Sequence, residues 1–163
     1  EFRIYYSNDL IGTQIGGALK NIYAIAAGIA EGLNLGENAK SALISRSFAE
    51  MTRYAKKFKA DKNTLFGLSG LGDLILTCSS KNSRNTQFGI KLASSKYDNF
   101  LDLLKSQEVT EGYYTVKAVY NISQKKNIDM PIMESVYNIL YKQHDLKEEL
   151  SNLLSRPITE EKI

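Results

Sequence analysis

The sequence predicts an all-α fold, a helical bundle, and three observations carry that prediction. From Leu10 onward the apolar residues recur at steps of three and four, the spacing of one helix face. Helix start and stop residues, Gly36, Asn38, Asp129-Met130-Pro131 and Arg156-Pro157, cut the chain into helix-length pieces. Strand-forming residues cluster only in Phe2-Arg3-Ile4-Tyr5-Tyr6, which reads as one short strand at the front edge, with no second convincing strand to pair with.

The first helix places Ile15, Leu19, Ile22, Ala26, Ile29 and Leu33 on its inner stripe, with Gly36 as its stop. Asn38 is the expected N-cap of the second helix. Leu43, Ile44, Ser47, Phe48, Met51 and Ala55 form its inner stripe, and Arg46 and Glu50, one turn apart, are expected to pair on its outer face. Gly67 to Gly72 is a glycine-rich turn that delivers Asp73-Leu74-Ile75-Leu76-Thr77 as a short helix. A helix from about Ser83 to Ala93 follows, then a more irregular stretch from Ser94 to Gln107 with a short helix over Phe100 to Leu104. Thr115 to Lys125 is helical, and Pro131 opens a helix whose apolar face is Ile132, Val136, Ile139 and Leu140. Leu146, Leu150, Leu153 and Leu154 give the last helix its inner face, and Arg156-Pro157 ends it.

Composition narrows the function classes. At 163 residues the chain is long enough for one domain with its own core, and 43% hydrophobic with 24% charged residues is ordinary for a soluble protein. The net charge of +3 comes from lysines spread along the chain, whereas a nucleic-acid surface wants a dense basic cluster. With Cys78 the single cysteine, no internal disulfide can form, which suits a cytoplasmic setting. The longest apolar run, Ile22 to Ala30, is too short to span a bilayer and is interrupted by Gly28. No signal peptide is visible, and Glu1-Phe2-Arg3 is not a natural initiator, so the chain is expected to be a fragment of a longer protein.

Lys20 is the most telling polar residue. It lies inside the long first helix, with Gly16 one turn before it and Ala24 one turn after it on the same face, and with Gly17 and Ala27 widening the bare patch. Each glycine inside a helix costs about 1 kcal/mol against alanine, so this run implies close approach by something. Either a ligand sits beside the ammonium, or helices pack tightly there and Lys20 reaches solvent. Asp73 and Thr77 share one helix face; they suit a polar ligand, with Asp73 fixing a lysine, and Asp73 equally suits a cap after a glycine turn. Ser83-Arg84-Asn85 stands at a helix start, where free N–H groups and a guanidinium favour an anion, although many helix starts carry Ser and Asn without binding anything. Gly67-Leu-Ser-Gly-Leu-Gly72 has the wrong order for a dinucleotide loop and no preceding strand. His144 reads as an exposed helix terminus, Cys78 as buried packing, and the tyrosines as core and interface; metal-ligand spacing is absent.

Longer blocks go further. Gly17-Ala-Leu-Lys20-Asn21-Ile-Tyr-Ala-Ile-Ala-Ala-Gly28-Ile-Ala-Glu31-Gly32-Leu-Asn-Leu-Gly36-Glu-Asn38 resembles the signature of NAD-dependent glycerol-3-phosphate dehydrogenases, and the bacterial, phospholipid-supplying branch fits best. Gly67 to Cys78, Ser83-Arg84-Asn85 and Val109-Thr-Glu111-Gly112 resemble the next three blocks in order, covering most of the chain. The departures are Gln14 where glutamate is expected and Ser47-Phe48 where Gly-Leu is common. The implied fold is the C-terminal helical domain of the 6-phosphogluconate dehydrogenase-like superfamily over residues 9–163, with residues 1–8 as the end of a Rossmann dinucleotide-binding domain.

The resemblance also implies roles. The family interconverts sn-glycerol 3-phosphate and dihydroxyacetone phosphate with NAD or NADP, held mostly by the Rossmann domain. By resemblance Lys20 is the general acid/base, and Asp73 orients it and binds the substrate hydroxyl. Asn21 and Thr77 are further substrate contacts. Ser83, Arg84 and Asn85 hold the substrate, with Arg84 also reaching the cofactor, while Val109 and Glu111 line the cofactor's far side. No metal is implied, and a homodimer is expected. Two competing readings are a helical dimerisation module without activity of its own, and a domain of a sister β-hydroxyacid dehydrogenase. The adjacent Lys20-Asn21 pair and the Ser-Arg-Asn block argue against the second.

Overall fold

The computed structural model describes residues 3–94 and 110–157. Among the described residues eight α-helices run in the order α1 (Leu10–Gly32), α2 (Glu37–Lys57), α3 (Lys62–Phe66), α4 (Asp73–Ser79), α5 (Arg84–Ser94), α6 (Glu111–Lys126), α7 (Pro131–Lys142) and α8 (Leu146–Leu154), with a π-helical turn, Leu68–Gly72, before α4. No strand occurs among the described residues. Arg3 to Tyr6 is exposed and carries no regular structure. Strand propensity without a neighbouring strand leaves the backbone groups unpaired, so the expected strand does not form. The expected irregular stretch with a Phe100 to Leu104 helix lies outside the described residues.

Helix α1 is the axle of the bundle. Asp9 caps it by accepting the Gly12 N–H at 2.8 Å. From Leu19 to Ala30 every residue is buried except Lys20. The predicted inner stripe therefore understates the helix, which is apolar all round because α2, α4, α5, α6 and α7 surround it. Each fully buried Leu or Ile on it contributes about 1.5–3 kcal/mol relative to exposure. Two glycines allow the closest of these contacts: a Cβ at Gly28 would run into the Thr86 carbonyl of α5, and one at Gly89 into the Ile25 carbonyl of α1. The two helices meet there backbone to backbone.

Helix boundaries moved where caps differ from the sequence reading. Asn34 at positive φ follows the end of α1, and Gly36, at φ +86°, caps α2 in place of Asn38, which lies inside the helix. Glu37 in the first turn and Lys56 and Lys57 in the last complement the α2 dipole. Helix α6 starts at Glu111, four residues before the expected Thr115, because Gly112 in its first turn gives its N–H to Asn85 instead of breaking the helix. On α8, Leu154 is exposed and Glu149 is buried, held by the Nδ1 of His144 at 2.7 Å and the amide of Asn138 at 3.2 Å. His144 is thus a partner of a buried carboxylate as well as a helix-end residue.

The largest correction concerns Glu50. It faces inward, 1% exposed, while Arg46 stays at the surface, so the outer Arg46–Glu50 pair does not form. Glu50 Oε1 accepts the Ile132 N–H at 2.6 Å, and Oε2 accepts the Met133 N–H at 3.1 Å and the Tyr23 hydroxyl at 3.3 Å. The carboxylate caps α7 from another helix, where Met130 supplies no side-chain cap of its own. Burial pushes the Glu50 pKa from 4.5 to about 7, against the pull of the Ile132 and Met133 N–H groups, Arg53 and Tyr23. Cys78 is buried as expected, and burial pushes its thiol up to about 12. Tyr120, Tyr137, Tyr141 and Tyr113 stack in sequence where α6 meets α7.

Candidate functional site

Lys20 interrupts the buried stretch of α1 and points toward α4. Its Nζ lies 2.5 Å from Asp73 Oδ2, and the two side chains are 23% and 30% exposed. Tight packing beside Lys20 is found, at Gly16 against Ser69, together with this contact. Lys20 does not simply reach solvent, and Asp73, the first residue of α4, makes no cap hydrogen bond with its side chain. The approach of α1 to the π-helical turn sets the spacing: a Cβ at Gly16 would collide with the Ser69 carbonyl, so only glycine lets the turn carry Asp73 this close.

Thr77 stands one turn after Asp73. Its hydroxyl donates to the Asp73 carbonyl at 2.6 Å and lies 3.3 Å from Asp73 Oδ1. Helix α4 is tied to the next element by Thr86, whose buried hydroxyl donates to the Thr77 carbonyl at 2.9 Å. Ser83 then caps α5, accepting the Thr86 N–H at 3.2 Å. These bonds put the start of α5, with Arg84 and Asn85, beside α4.

A second polar group joins α1, α5 and α6. Asn85 Oδ1 accepts the Gly112 N–H at 3.0 Å, and its Nδ2 donates to Asn21 Oδ1 at 3.0 Å. Asn21 Nδ2 in turn reaches the Gly17 carbonyl and Glu111 Oε2, each at 3.3 Å. A backbone donor at one end and a carboxylate at the other fix the orientation of both amides. Glu111 Oε1 also lies 3.5 Å from the Arg84 guanidinium, in a pair that is 70% and 81% exposed. Exposure of that order makes the pair worth little in stability and leaves both groups open to a ligand.

Of the residues singled out from sequence, Lys20, Asp73 and Thr77 form one group, and Asn21, Arg84, Asn85 and Glu111 form another, joined along α1 by the adjacency of Lys20 and Asn21. The Ser83 oxygen accepts the Thr86 N–H at the start of α5. Val109 lies outside the described residues. Sequence reasoning missed Thr86 and gave Gly112 no role; a threonine directly after Ser-Arg-Asn and a glycine directly after Glu111 were the available signals. Among the described residues no group of histidine, cysteine or carboxylates is placed to hold a metal ion, and no helix is long and apolar enough to cross a membrane.

The arrangement offers an ammonium held by a carboxylate, a guanidinium at a helix start, and a fixed amide network between them. That set suits a proton-transfer step next to an anion-binding position. Comparison with known proteins gives the family of the chain. The family described as NAD-dependent glycerol-3-phosphate dehydrogenase C-terminus matches residues 9–151. A protein of Colwellia psychrerythraea named glycerol-3-phosphate dehydrogenase (NAD(P)+) is 46% identical over 155 residues, which are 95% of this chain and 46% of that protein. One of the same name from Brachyspira hyodysenteriae is 48% identical over 158 residues, 96% of this chain and 47% of its own length. The crystal structure of glycerol-3-phosphate dehydrogenase from Coxiella burnetii superposes with a TM-score of 0.87 at 40% identity, covering 95% of this chain and 47% of that one. The chain spans about half the length of the curated relatives it matches.

Proposed function

The chain belongs to the NAD-dependent glycerol-3-phosphate dehydrogenase family, which it matches over that family's C-terminal domain, and on that premise we propose that it is the substrate-binding part of an enzyme interconverting sn-glycerol 3-phosphate and dihydroxyacetone phosphate. The reading places residues 9–163 in the substrate domain and residues 1–8 at the end of a dinucleotide-binding domain. It makes the protein a cytoplasmic homodimer that supplies glycerol phosphate for phospholipid synthesis. The exposed apolar side chains of Leu68 and Leu76 suit burial against a partner surface.

The observation that carries the reading is the Lys20–Asp73 contact beside the Arg84–Glu111 pair. When bound, NAD or NADP supplies or accepts the hydride at the substrate's central carbon. Lys20 gives its proton to the carbonyl oxygen in the reducing direction and takes it back in the oxidising one. Asp73 keeps the ammonium aimed, and its remaining lone pairs accept a substrate hydroxyl with Thr77 at its side. Arg84, with Ser83 and Asn85 at the start of α5, receives the phosphate; Asn21 holds the amide network in register. The exposed Arg84 and Glu111 also fit the cofactor, offering a fork of donors and a carboxylate at its edge, and Val109 joins them in this reading. Selection between NAD and NADP falls to residues outside this chain.

The test is turnover of dihydroxyacetone phosphate with NADH and NADPH by the complete protein and its Lys20→Ala variant. The parent turns over. The variant loses about 10² to 10⁴-fold in kcat, the usual share of a positioned acid/base, and still binds cofactor. An equally active variant moves the proton chemistry elsewhere; an inactive parent sinks the substrate assignment.

A further inference from the structure

We propose that Gly17 is a specificity-determining residue: the space its side chain would fill is kept open for the ligand on which Lys20 acts. The inference rests on the substrate reading above and deepens it.

Helix α1 contains five glycines, Gly12, Gly16, Gly17, Gly28 and Gly32. Four of them lie close against neighbouring atoms. A Cβ at Gly12 would meet the Asp9 carboxylate, at Gly16 the Ser69 carbonyl, at Gly28 the Thr86 carbonyl, and at Gly32 the Ala93 methyl at 2.6 Å. Gly17 is different: a Cβ there meets nothing within 4 Å. Its φ is not positive either, since Gly36 alone is positive among the described glycines. Among the described residues nothing in the packing or the backbone asks for glycine at this position. Glycine in a helix interior nevertheless weakens the helix relative to alanine, so folding alone would favour a side chain here.

The place of the gap supplies the reason. Gly17 lies three and four residues before Lys20 and Asn21, on the same helix face. Helical side chains lean back over the preceding turn, so Lys20 and Asn21 lean over Gly17. The Asn21 amide confirms the direction, reaching back to the Gly17 carbonyl at 3.3 Å. The open volume is therefore next to the Lys20–Asp73 pair. Gly16, the preceding residue, packs against the Ser69 carbonyl. A side chain at position 17 would touch no protein atom at its Cβ and would stand where a small ligand lies alongside the ammonium. The bare position admits the carbon skeleton of the substrate, and added bulk there excludes it.

The test uses the complete protein with Gly17→Ala, Gly17→Leu and, as a packing control, Gly28→Ala. Gly17→Ala melts at the parent's temperature or about 2–4 °C above it, as expected for glycine to alanine in an unobstructed helix. Its kcat/KM for dihydroxyacetone phosphate falls about tenfold, and that of Gly17→Leu about a hundredfold, by steric exclusion of ligand atoms; KM for NADH stays within about twofold. Gly28→Ala melts lower. A merely structural role for Gly17 moves melting and leaves the substrate-against-cofactor contrast unmoved. Full turnover by Gly17→Leu, or a lowered melting temperature for Gly17→Ala, overturns the inference. A parent without turnover overturns the substrate reading alone, and the melting comparison still decides whether the fold needs Gly17 bare.

Discussion

Asp73 and Glu50 both bring a carboxylate to the central helix, one from α4 and one from α2. Asp73 is 30% exposed and meets an ammonium across 53 positions of sequence. Glu50 is 1% exposed and meets two backbone N–H groups more than eighty positions away, with the hydroxyl of Tyr23 alongside. Water still reaches the first, so a ligand can replace it. The second is saturated by protein donors and has no room to exchange partners. The difference between an accessible carboxylate and a sealed one lies in what its remaining lone pairs can still accept, and neither charge nor position along a helix reveals that.

Substitutions at the two sites should separate activity from stability. The largest effect belongs to Asp73→Asn in the complete protein: turnover of dihydroxyacetone phosphate falls about 10²-fold because Lys20 loses its aim. Thermal melting of that variant stays near the parent's, since a partly exposed pair contributes at most about 1 kcal/mol. Melting that collapses with activity would make Asp73 structural, like Glu50.

Glu50→Ala should do the reverse. Removing the carboxylate strands the N–H groups of Ile132 and Met133, an expected loss of about 1–3 kcal/mol in denaturant unfolding, with kcat kept at temperatures where the protein remains folded. Its pH dependence has a definite sign. The folded-state pKa of about 7 lies above the ordinary 4.5, so the folded form holds the proton more tightly. The stability from this linkage is complete below pH 4.5 and is lost as pH rises through 7. Stability of the parent relative to Glu50→Gln should therefore decline between those limits. A difference that grows with pH would mean that the carboxylate is held charged.

The smallest effect is at Asp9, whose carboxylate is kept below its usual range chiefly by the Gly12 N–H. Asp9→Ala lowers melting at neutral pH. Because the folded-state pKa is depressed, the advantage of the parent disappears as pH falls through the carboxylate range. A pH-independent difference would trace the loss to packing instead of the charge.

Much of the bundle was legible because α1, α5, α7 and α8 announce themselves by spacing and caps, and Lys20 by its bare surroundings. Glu50 was not. Its position four after Arg46 has the spacing of a surface pair, and the need it answers arises at the start of α7, which no local pattern connects to α2. Asn38 lost the cap to Gly36 for a similar reason: cap preference ranks residues, but the path of the chain between two packed helices decides which one takes the extended backbone. Arg3 to Tyr6 shows the converse, since propensity cannot make a strand without a neighbour. At the candidate site the residue types and the Lys20–Asp73 pairing were legible, but the amide network was not, because Asn21, Asn85 and Gly112 come together from three helices.

The crossing at Gly28 and Gly89 leaves no side chain between two backbones. Helix separations elsewhere in a core drift as one aliphatic residue replaces another; this one has nothing to exchange. Lys20 lies eight residues before the crossing on α1 and Arg84 five before it on α5, about 12 Å and 7–8 Å along the respective axes. The two helices act as the arms of a caliper with a locked pivot, with the Lys20 ammonium on one arm and the Arg84 guanidinium on the other. Ordinary drift in the core leaves the setting of the caliper unchanged. A descendant that sets the ammonium and the guanidinium at another separation has to rebuild both glycines at once, or change the reach of the side chains at the tips.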